Sequence, residues 1–215
     1  MLSRLRGVMT TLFNPLARVL LRMGVSPDAV TVFGTIGVLV TALWAFPTGH
    51  LAVGAIVIAL FAFLDSLDGT MARLAGRSGP WGAFLDSTLD RLADAAIFCG
   101  LAGYFLLQTD GAVRRFGTIV ALTCLVLGSM VSYARARAEG LGMTANVGIA
   151  ERGERLVVSL VAAGVVGFGL PVWVLLALLS LLAAASLVTV LQRMATVRTQ
   201  ALAARAVSPS APSEA

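Results

Sequence analysis

Long apolar runs separated by short polar breaks organise the chain from residue 29 onward. Ser26-Pro27-Asp28 reads as a helix start, a serine N-cap followed by proline in the first turn. The first apolar run extends from about Ala29 to Phe46 and stops at Pro47-Thr48-Gly49-His50. A bilayer-crossing helix needs about 20 residues, so this run is long enough. The next, Leu51 to Leu64, is too short to cross alone and must continue through Asp65 and Asp68 to about Leu74. A third helix is expected from about Gly82 to Leu107 and a fourth over about Phe116–Ala138. The last two, about Glu154–Gly169 and Pro171–Met194, are joined by a very short turn. Ahead of them, Leu5, Val8, Leu12, Leu16, Val19 and Leu20 recur at helical spacing within residues 3–23, with Arg4, Arg18 and Arg22 largely off the stripe. Such a helix lies in the membrane interface. The pattern therefore predicts an all-α fold, a six-transmembrane-helix bundle with an N-terminal interfacial amphipathic helix. Its divisions are the interfacial helix at 1–24, the membrane domain at 25–198, and an Ala-, Ser- and Pro-rich disordered cytoplasmic tail at 199–215.

Composition supports the membrane reading and narrows the partners. With 58% hydrophobic and 13% charged residues, and a mean hydropathy of +0.92, the chain lies outside the range of soluble domains. Lysine is absent, so the sixteen basic residues are all arginines, most of them at the ends of apolar runs. That placement points to lipid phosphates or an anionic substrate, and no soluble basic domain is present to hold nucleic acid. Arginine in short loops marks the cytoplasmic side. Arg73, Arg77, Arg135, Arg137, Arg152, Arg155, Arg193 and Arg198 fall on one side, with Arg114 and Arg115 against the trend. A multi-pass protein of the cell membrane is expected, with its charged site facing the cytoplasm. Asn14, Pro15 and Arg18 interrupt the N-terminal segment, so no removable signal peptide is expected. Cys99 and Cys124 lie in apolar segments and read as small hydrophobic groups.

Five of the eleven acidic residues fall between positions 65 and 94. A carboxylate at the centre of a bilayer helix costs about 2.5–3.5 kcal/mol even on insertion scales, so a cluster there needs positive compensation. Asp65 and Asp68 share one helical face, as do Asp86 and Asp90. Antiparallel pairing of the second and third helices would enclose a volume lined by four carboxylates, which suits hard divalent cations such as magnesium or manganese. Gly69, Gly82 and Ala72 leave that face open to a phosphate or nucleotide ring. Two metals about 3.5–4 Å apart can bind a phosphoryl group during in-line displacement, and the fourth aspartate is placed to act as general base. Asp94 reads instead as a helix-contact residue, pairing with Arg91 or a neighbouring helix. An ion-coupled transporter would also place acids in its spans, but near the midplane and on broken helices.

The run Asp65-Ser-Leu-Asp68-Gly69-Thr-Met-Ala72-Arg73 through Gly82-Ala-Phe-Leu-Asp86-Ser-Thr-Leu-Asp90 resembles the signature of the CDP-alcohol phosphatidyltransferases at every defining position. The resemblance implies a six-helix membrane enzyme, usually a homodimer, with a binuclear metal site, magnesium or manganese, that displaces CMP from a CDP-linked lipid or alcohol. It implies Asp65, Asp68 and Asp86 as metal ligands and Asp90 as both ligand and proton acceptor. Gly69 and Arg73 would contact the cytidine diphosphate. So would Asp28-Ala29-Val30-Thr31, where Asp28 stands in place of a common asparagine, and Ser78 or Gly79, where the family offers a hydroxyl.

Outside that signature, Ser132-Tyr-Ala-Arg135-Ala-Arg137-Ala-Glu139 and Gly148-Ile-Ala-Glu151-Arg152-Gly-Glu154-Arg155 resemble the actinobacterial branch of the family that makes phosphatidylinositol phosphate. That branch implies CDP-diacylglycerol and inositol 1-phosphate as substrates. A dianionic acceptor phosphate wants arginines able to grip its oxygens bidentately. Ser132, Arg135, Arg152, Arg155 and Arg193 all fall at the same ends of the last three helices. Glycerol 3-phosphate is an anionic phosphate too, so a phosphatidylglycerophosphate synthase, or an archaetidylinositol phosphate synthase acting on an ether lipid, remains open beside the inositol phosphate reading.

Overall fold

The computed structural model describes residues 14–76 and 79–207, without the side chains of Asp65, Ser66 and residues 205–207. All regular structure among the described residues is helical. After a helical segment at residues 14–22, six longer helices follow one another: α1 (Pro27–Ala45), α2 (Leu51–Leu74), α3 (Pro80–Gln108), α4 (Gly111–Glu139), α5 (Arg152–Gly167) and α6 (Val172–Val207). Ser26 caps α1, its Oγ accepting from the Ala29 N–H at 3.2 Å, and prolines open α1 and α3 where the first-turn N–H would go unpaired anyway. Gly76, at φ +63°, ends the turn after α2 in the left-handed conformation that only glycine adopts without strain.

The helices close into a ring, with α1 against α2, α2 against α5, α5 against α6, α6 against α4, α4 against α3, and α3 back against α1. The expected direct pairing of α2 with α3 is replaced by an arrangement in which α1 packs on both. Small residues explain it. A Cβ on Gly37 of α1 would stand 2.3 Å from the Phe61 ring of α2, and one on Gly100 of α3 would stand 2.2 Å from the Ala42 carbonyl of α1. Their absence lets both neighbours approach α1 closely, as small residues do between membrane helices. The core so formed is apolar, with Phe46, Leu51, Ile58, Leu101, Phe105 and Leu175 almost wholly buried.

Four helices, Pro27–Ala45, Leu51–Leu74, Gly111–Glu139 and the Val172–Ala204 part of α6, are long and apolar enough to cross a membrane. The chain is a multi-pass membrane protein. α3 carries Asp86, Asp90, Arg91 and Asp94 in its first half, and α5, at 16 residues, opens with Arg152, Glu154 and Arg155. α5 falls short of the others in length, and α3 is less apolar over its charged first half.

Of the expected interfacial helix, residues 14–22 are helical and residues 1–13 lie outside the described ones. Ala17 packs against Leu67 and Met71 of α2, whereas Leu16 and Val19, assigned to the apolar stripe, are exposed. The other end differs from the expectation. α6 continues to Val207, into the segment expected as disordered tail, while residues 208–215 lie outside the described ones. Gln200 shows why: its side chain brackets Thr144, donating to the carbonyl at 2.6 Å and accepting from the N–H at 3.0 Å. Thr189 Oγ1 likewise accepts from the N–H groups of Ile149 and Ala150, each at 3.1 Å. The loop 140–151 is thereby strapped along α6, which fixes where α5 begins.

Gly100→Ala should overpack the α1–α3 contact and destabilise the bundle by about 1–3 kcal/mol. A thermal melt of the purified protein in detergent checks this, and an unchanged melting temperature would contradict the close approach.

Candidate active site

α3 is a wall shared by two cavities at the charged end of the bundle. Ala83 lines both, Asp86 faces the first and Asp90, one turn on, faces the second.

The first cavity, about 470 Å³, lies between the start of α1 and the facing turns of α2 and α3. Asp28 and Thr31 come from α1, Asp68, Gly69 and Ala72 from α2, and Gly82 and Asp86 from α3, with Gly79 just before it. A Cβ added at Gly69, Gly79 or Gly82 would meet nothing within 4 Å. These glycines therefore serve open space rather than helix packing. The Thr31 hydroxyl donates to Asp68 Oδ2, and the Trp81 indole N–H donates to Asp28 Oδ2 at 3.0 Å. Ser26, Pro27 and Trp81 also line this cavity and escaped the sequence reading. The signal for Trp81 was its place beside Gly82 in the motif.

Three residues expected here point elsewhere. Ala29 is exposed, Val30 packs toward the Ala17–Leu67–Met71 cluster, and Arg73 is exposed with Nη2 donating to Thr70 Oγ1 at 3.2 Å. Helical geometry gives the reason: Asp28 and Thr31 share a face that the two residues between them do not. Arg73 is one position round from Ala72. The side chain of Asp65 and all of Ser78 lie outside the described residues.

The second cavity, about 550 Å³, is walled by α3, α4, α5 and α6, and it brings together Ser132, Arg135, Arg152, Arg155 and Arg193. The arginines are not equivalent. Arg193 is 2% exposed and spends its guanidinium on the bundle, donating from Nη1 to the Val131 carbonyl at 2.6 Å, from Nε to the Val147 carbonyl at 2.9 Å, and pairing with Glu151 at 3.3 Å. Arg155 is 1% exposed and pairs with Asp94 at 2.6 Å. Asp94 thus pairs with α5 rather than with Arg91, whose Nη1 donates to the Ser87 carbonyl of its own helix. Arg152 and Arg135 reach further into the open, with side chains 37% and 46% exposed. Arg152 Nη2 sits 2.6 Å from Asp90 Oδ1, and Arg135 Nε sits 3.0 Å from Glu139 Oε1. Glu139, Glu151 and Glu154 line the same cavity, so an arriving phosphate would exchange carboxylate partners for its own oxygens. Counting arginines in the sequence overlooked these counter-charges.

The donor chemistry of the first cavity fits divalent cations. Among the described residues its lining holds three carboxylates, Asp28, Asp68 and Asp86, and no arginine or histidine. A diphosphate could not settle among them unless hard cations came between. Among the described residues, no three Asp, Glu, His or Cys side chains gather into a metal-binding group. Asp68 and Asp86 share the cavity, whereas Asp90 turns to Arg152.

Comparison with known proteins places the chain in a family. The phosphatidylinositol phosphate synthase of Streptomyces avermitilis is 48% identical over 209 residues, covering 94% of this chain and 84% of its own. That of Cutibacterium acnes is 47% identical over 205 residues, covering 92% and 98%. The crystal structure of the Mycobacterium tuberculosis phosphatidylinositol phosphate synthase with CDP-DAG bound superposes with a TM-score of 0.82 at 43% identity, over 88% of this chain and 94% of that one. A second structure of that enzyme, in complex with manganese and citrate, superposes with a TM-score of 0.81 at 43% identity, over 87% and 89%. Residues 24–150, from the cap of α1 to the edge of α5 and so including both aspartate pairs, match the family model described as CDP-alcohol phosphatidyltransferase. With that match over the helices that build the first cavity, the chain belongs to the CDP-alcohol phosphatidyltransferases, transferase enzymes of phospholipid synthesis.

Proposed function

We propose that this enzyme transfers the phosphatidyl group of CDP-diacylglycerol to inositol 1-phosphate, giving phosphatidylinositol phosphate and CMP. One observation carries the proposal: an acid-lined, glycine-walled cavity and an arginine-rich cavity meet along the Ala83–Asp90 turns of α3. The names of the relatives in Streptomyces and Cutibacterium support the inositol phosphate acceptor, and the mycobacterial structure supports CDP-diacylglycerol as donor.

In this reading the cytidine diphosphate enters the first cavity, where Gly69, Gly79 and Gly82 let it lie against the backbone and Asp28 and Thr31 border it. Asp65, Asp68, Asp86 and Asp90 would hold two divalent cations, magnesium in the cell and manganese as a substitute, which supply charge neutralisation at the diphosphate. Ser132, Arg135 and Arg152 receive the phosphate of the acceptor, with Arg155 and Arg193 behind them. Asp90, on the shared wall, takes the proton of the inositol hydroxyl as its oxygen bonds to the lipid-side phosphorus and the bond to CMP breaks. The protein's contribution is orientation of two substrates across one helix. All six helices cross the membrane in this reading, with residues 14–22 at its surface and both cavities on the cytoplasmic side, where the arginines gather. Membrane lipid and a second copy of the chain complete the proposed partners.

Asp90→Asn should lower CMP release by about 10²–10⁴-fold. Steady-state kinetics of the purified enzyme check it, and wild-type turnover would remove Asp90 as the base. Gly69→Val should raise the KM for CDP-diacylglycerol by about tenfold or more without moving the melting temperature, since its side chain would enter open space. An unchanged KM would place the donor elsewhere. Offered inositol 1-phosphate and glycerol 3-phosphate in turn, the enzyme should release CMP with the first; release with the second alone would overturn the acceptor.

A further inference from the structure

Asp94 lies outside the four-aspartate signature, one turn beyond Asp90 on α3, and its side chain is 14% exposed. Arg155 of α5 reaches it, Nη2 standing 2.6 Å from Oδ2. Two further contacts keep Arg155 from moving. Its Nη1 donates to the Ala150 carbonyl at 3.2 Å, at the end of the loop strapped to α6. Its side chain also packs against Gly128 of α4, where an added Cβ would come within 3.0 Å of Nε and 3.5 Å of Cζ. A buried ion pair gripped from several sides is a rigid post, because breaking it strands a charge in the apolar interior.

The other oxygen of Asp94 faces Arg152, with Oδ1 3.7 Å from Nε. Arg152 in turn sets Nη2 2.6 Å from Asp90 Oδ1. Charges therefore alternate from the interior to the cavity in the order Arg155, Asp94, Arg152, Asp90. Arg152 is long and 37% exposed, and without lateral restraint its guanidinium would sample many rotamers. A group that has to meet a substrate oxygen gains from being held in place beforehand.

We infer that Asp94 and Arg155 are positioning residues for the transfer: Arg155 fixes Asp94, Asp94 fixes Arg152, and Arg152 is thereby held between Asp90 and the place where the acceptor's phosphate is received. Neither Asp94 nor Arg155 touches substrate. Arg155 thus acts through its neighbours rather than as a phosphate ligand. The inference rests on the arginine-rich cavity being the acceptor site.

The test is a comparison of the full-length enzyme with Asp94→Asn, Arg155→Met, Arg155→Lys and Gly128→Ala in detergent. Three readouts are taken: the KM for inositol 1-phosphate, the KM for CDP-diacylglycerol, and the rise in melting temperature that inositol 1-phosphate induces. Asp94→Asn and Arg155→Met should raise the acceptor KM by about tenfold and abolish the acceptor-induced rise, with the donor KM within about twofold of wild type. Arg155→Lys keeps a cation on Asp94 and should stay within about threefold of wild type. Should the charge-removing variants fail to fold, Gly128→Ala carries the test, since it presses on Arg155 without removing a charge. It should raise the acceptor KM by about threefold. A folded Asp94→Asn, or in its place Gly128→Ala, with wild-type acceptor KM and melting response would overturn the inference. So would equal rises in both KM values, which mark a general loss of structure. Wild-type enzyme that releases no CMP with inositol 1-phosphate would instead overturn the substrate assignment.

Discussion

A carboxylate inside an apolar helix bundle is tolerated only where positive charge meets it, and α3 carries three on successive turns, Asp86, Asp90 and Asp94. Each is met differently. Asp94, deepest in the bundle, has Arg155; Asp90 has Arg152; and Asp86 shares with Asp68 a cavity lined, among the described residues, by no arginine or histidine. The compensation passes along the helix from the protein's own arginines to whatever cation the cavity admits. That gradient separates the carboxylates already paired within the bundle from those left facing the open cavity.

The ring of helices exists to present that one face. Because α1 packs on both α2 and α3, its first turn borders the cavity that a direct α2–α3 pairing would have closed. The capped start of α1 therefore contributes Asp28 and Thr31 to the site, and Thr31 orients Asp68 through its hydroxyl. On the other side, α6 straps the loop 140–151 and so fixes the first turn of α5, which delivers Arg152 and Arg155. Both cavities are consequently framed by rigid helices, with α3 as the wall between them.

Much of this was legible in the chain. The apolar runs located all six helices, and Gly69, Gly82, Asp68 and Asp86 line one open cavity as their spacing suggested, because that spacing is local to two helices. Relations between distant helices were harder to read. Gly37 on α1 gave too weak a signal to show that α1, rather than α3, would lie against α2. Arginine is the same letter whether its guanidinium meets a substrate, as an exposed Arg135 can, or is consumed by backbone carbonyls, as in Arg193. The end of α6 was misread for a related reason: residues 199–207 are alanine-rich, a composition that favours helix once Gln200 finds Thr144 to hold.

The account stands on the acid-lined cavity taking divalent cation together with the cytidine diphosphate. Manganese binding to the purified enzyme, followed by electron paramagnetic resonance with and without CMP, tests that most directly. Wild type should take up manganese more tightly when CMP is present, and Asp68→Asn and Asp86→Asn should lose both the uptake and its dependence on CMP. Wild-type manganese binding in both variants would contradict it.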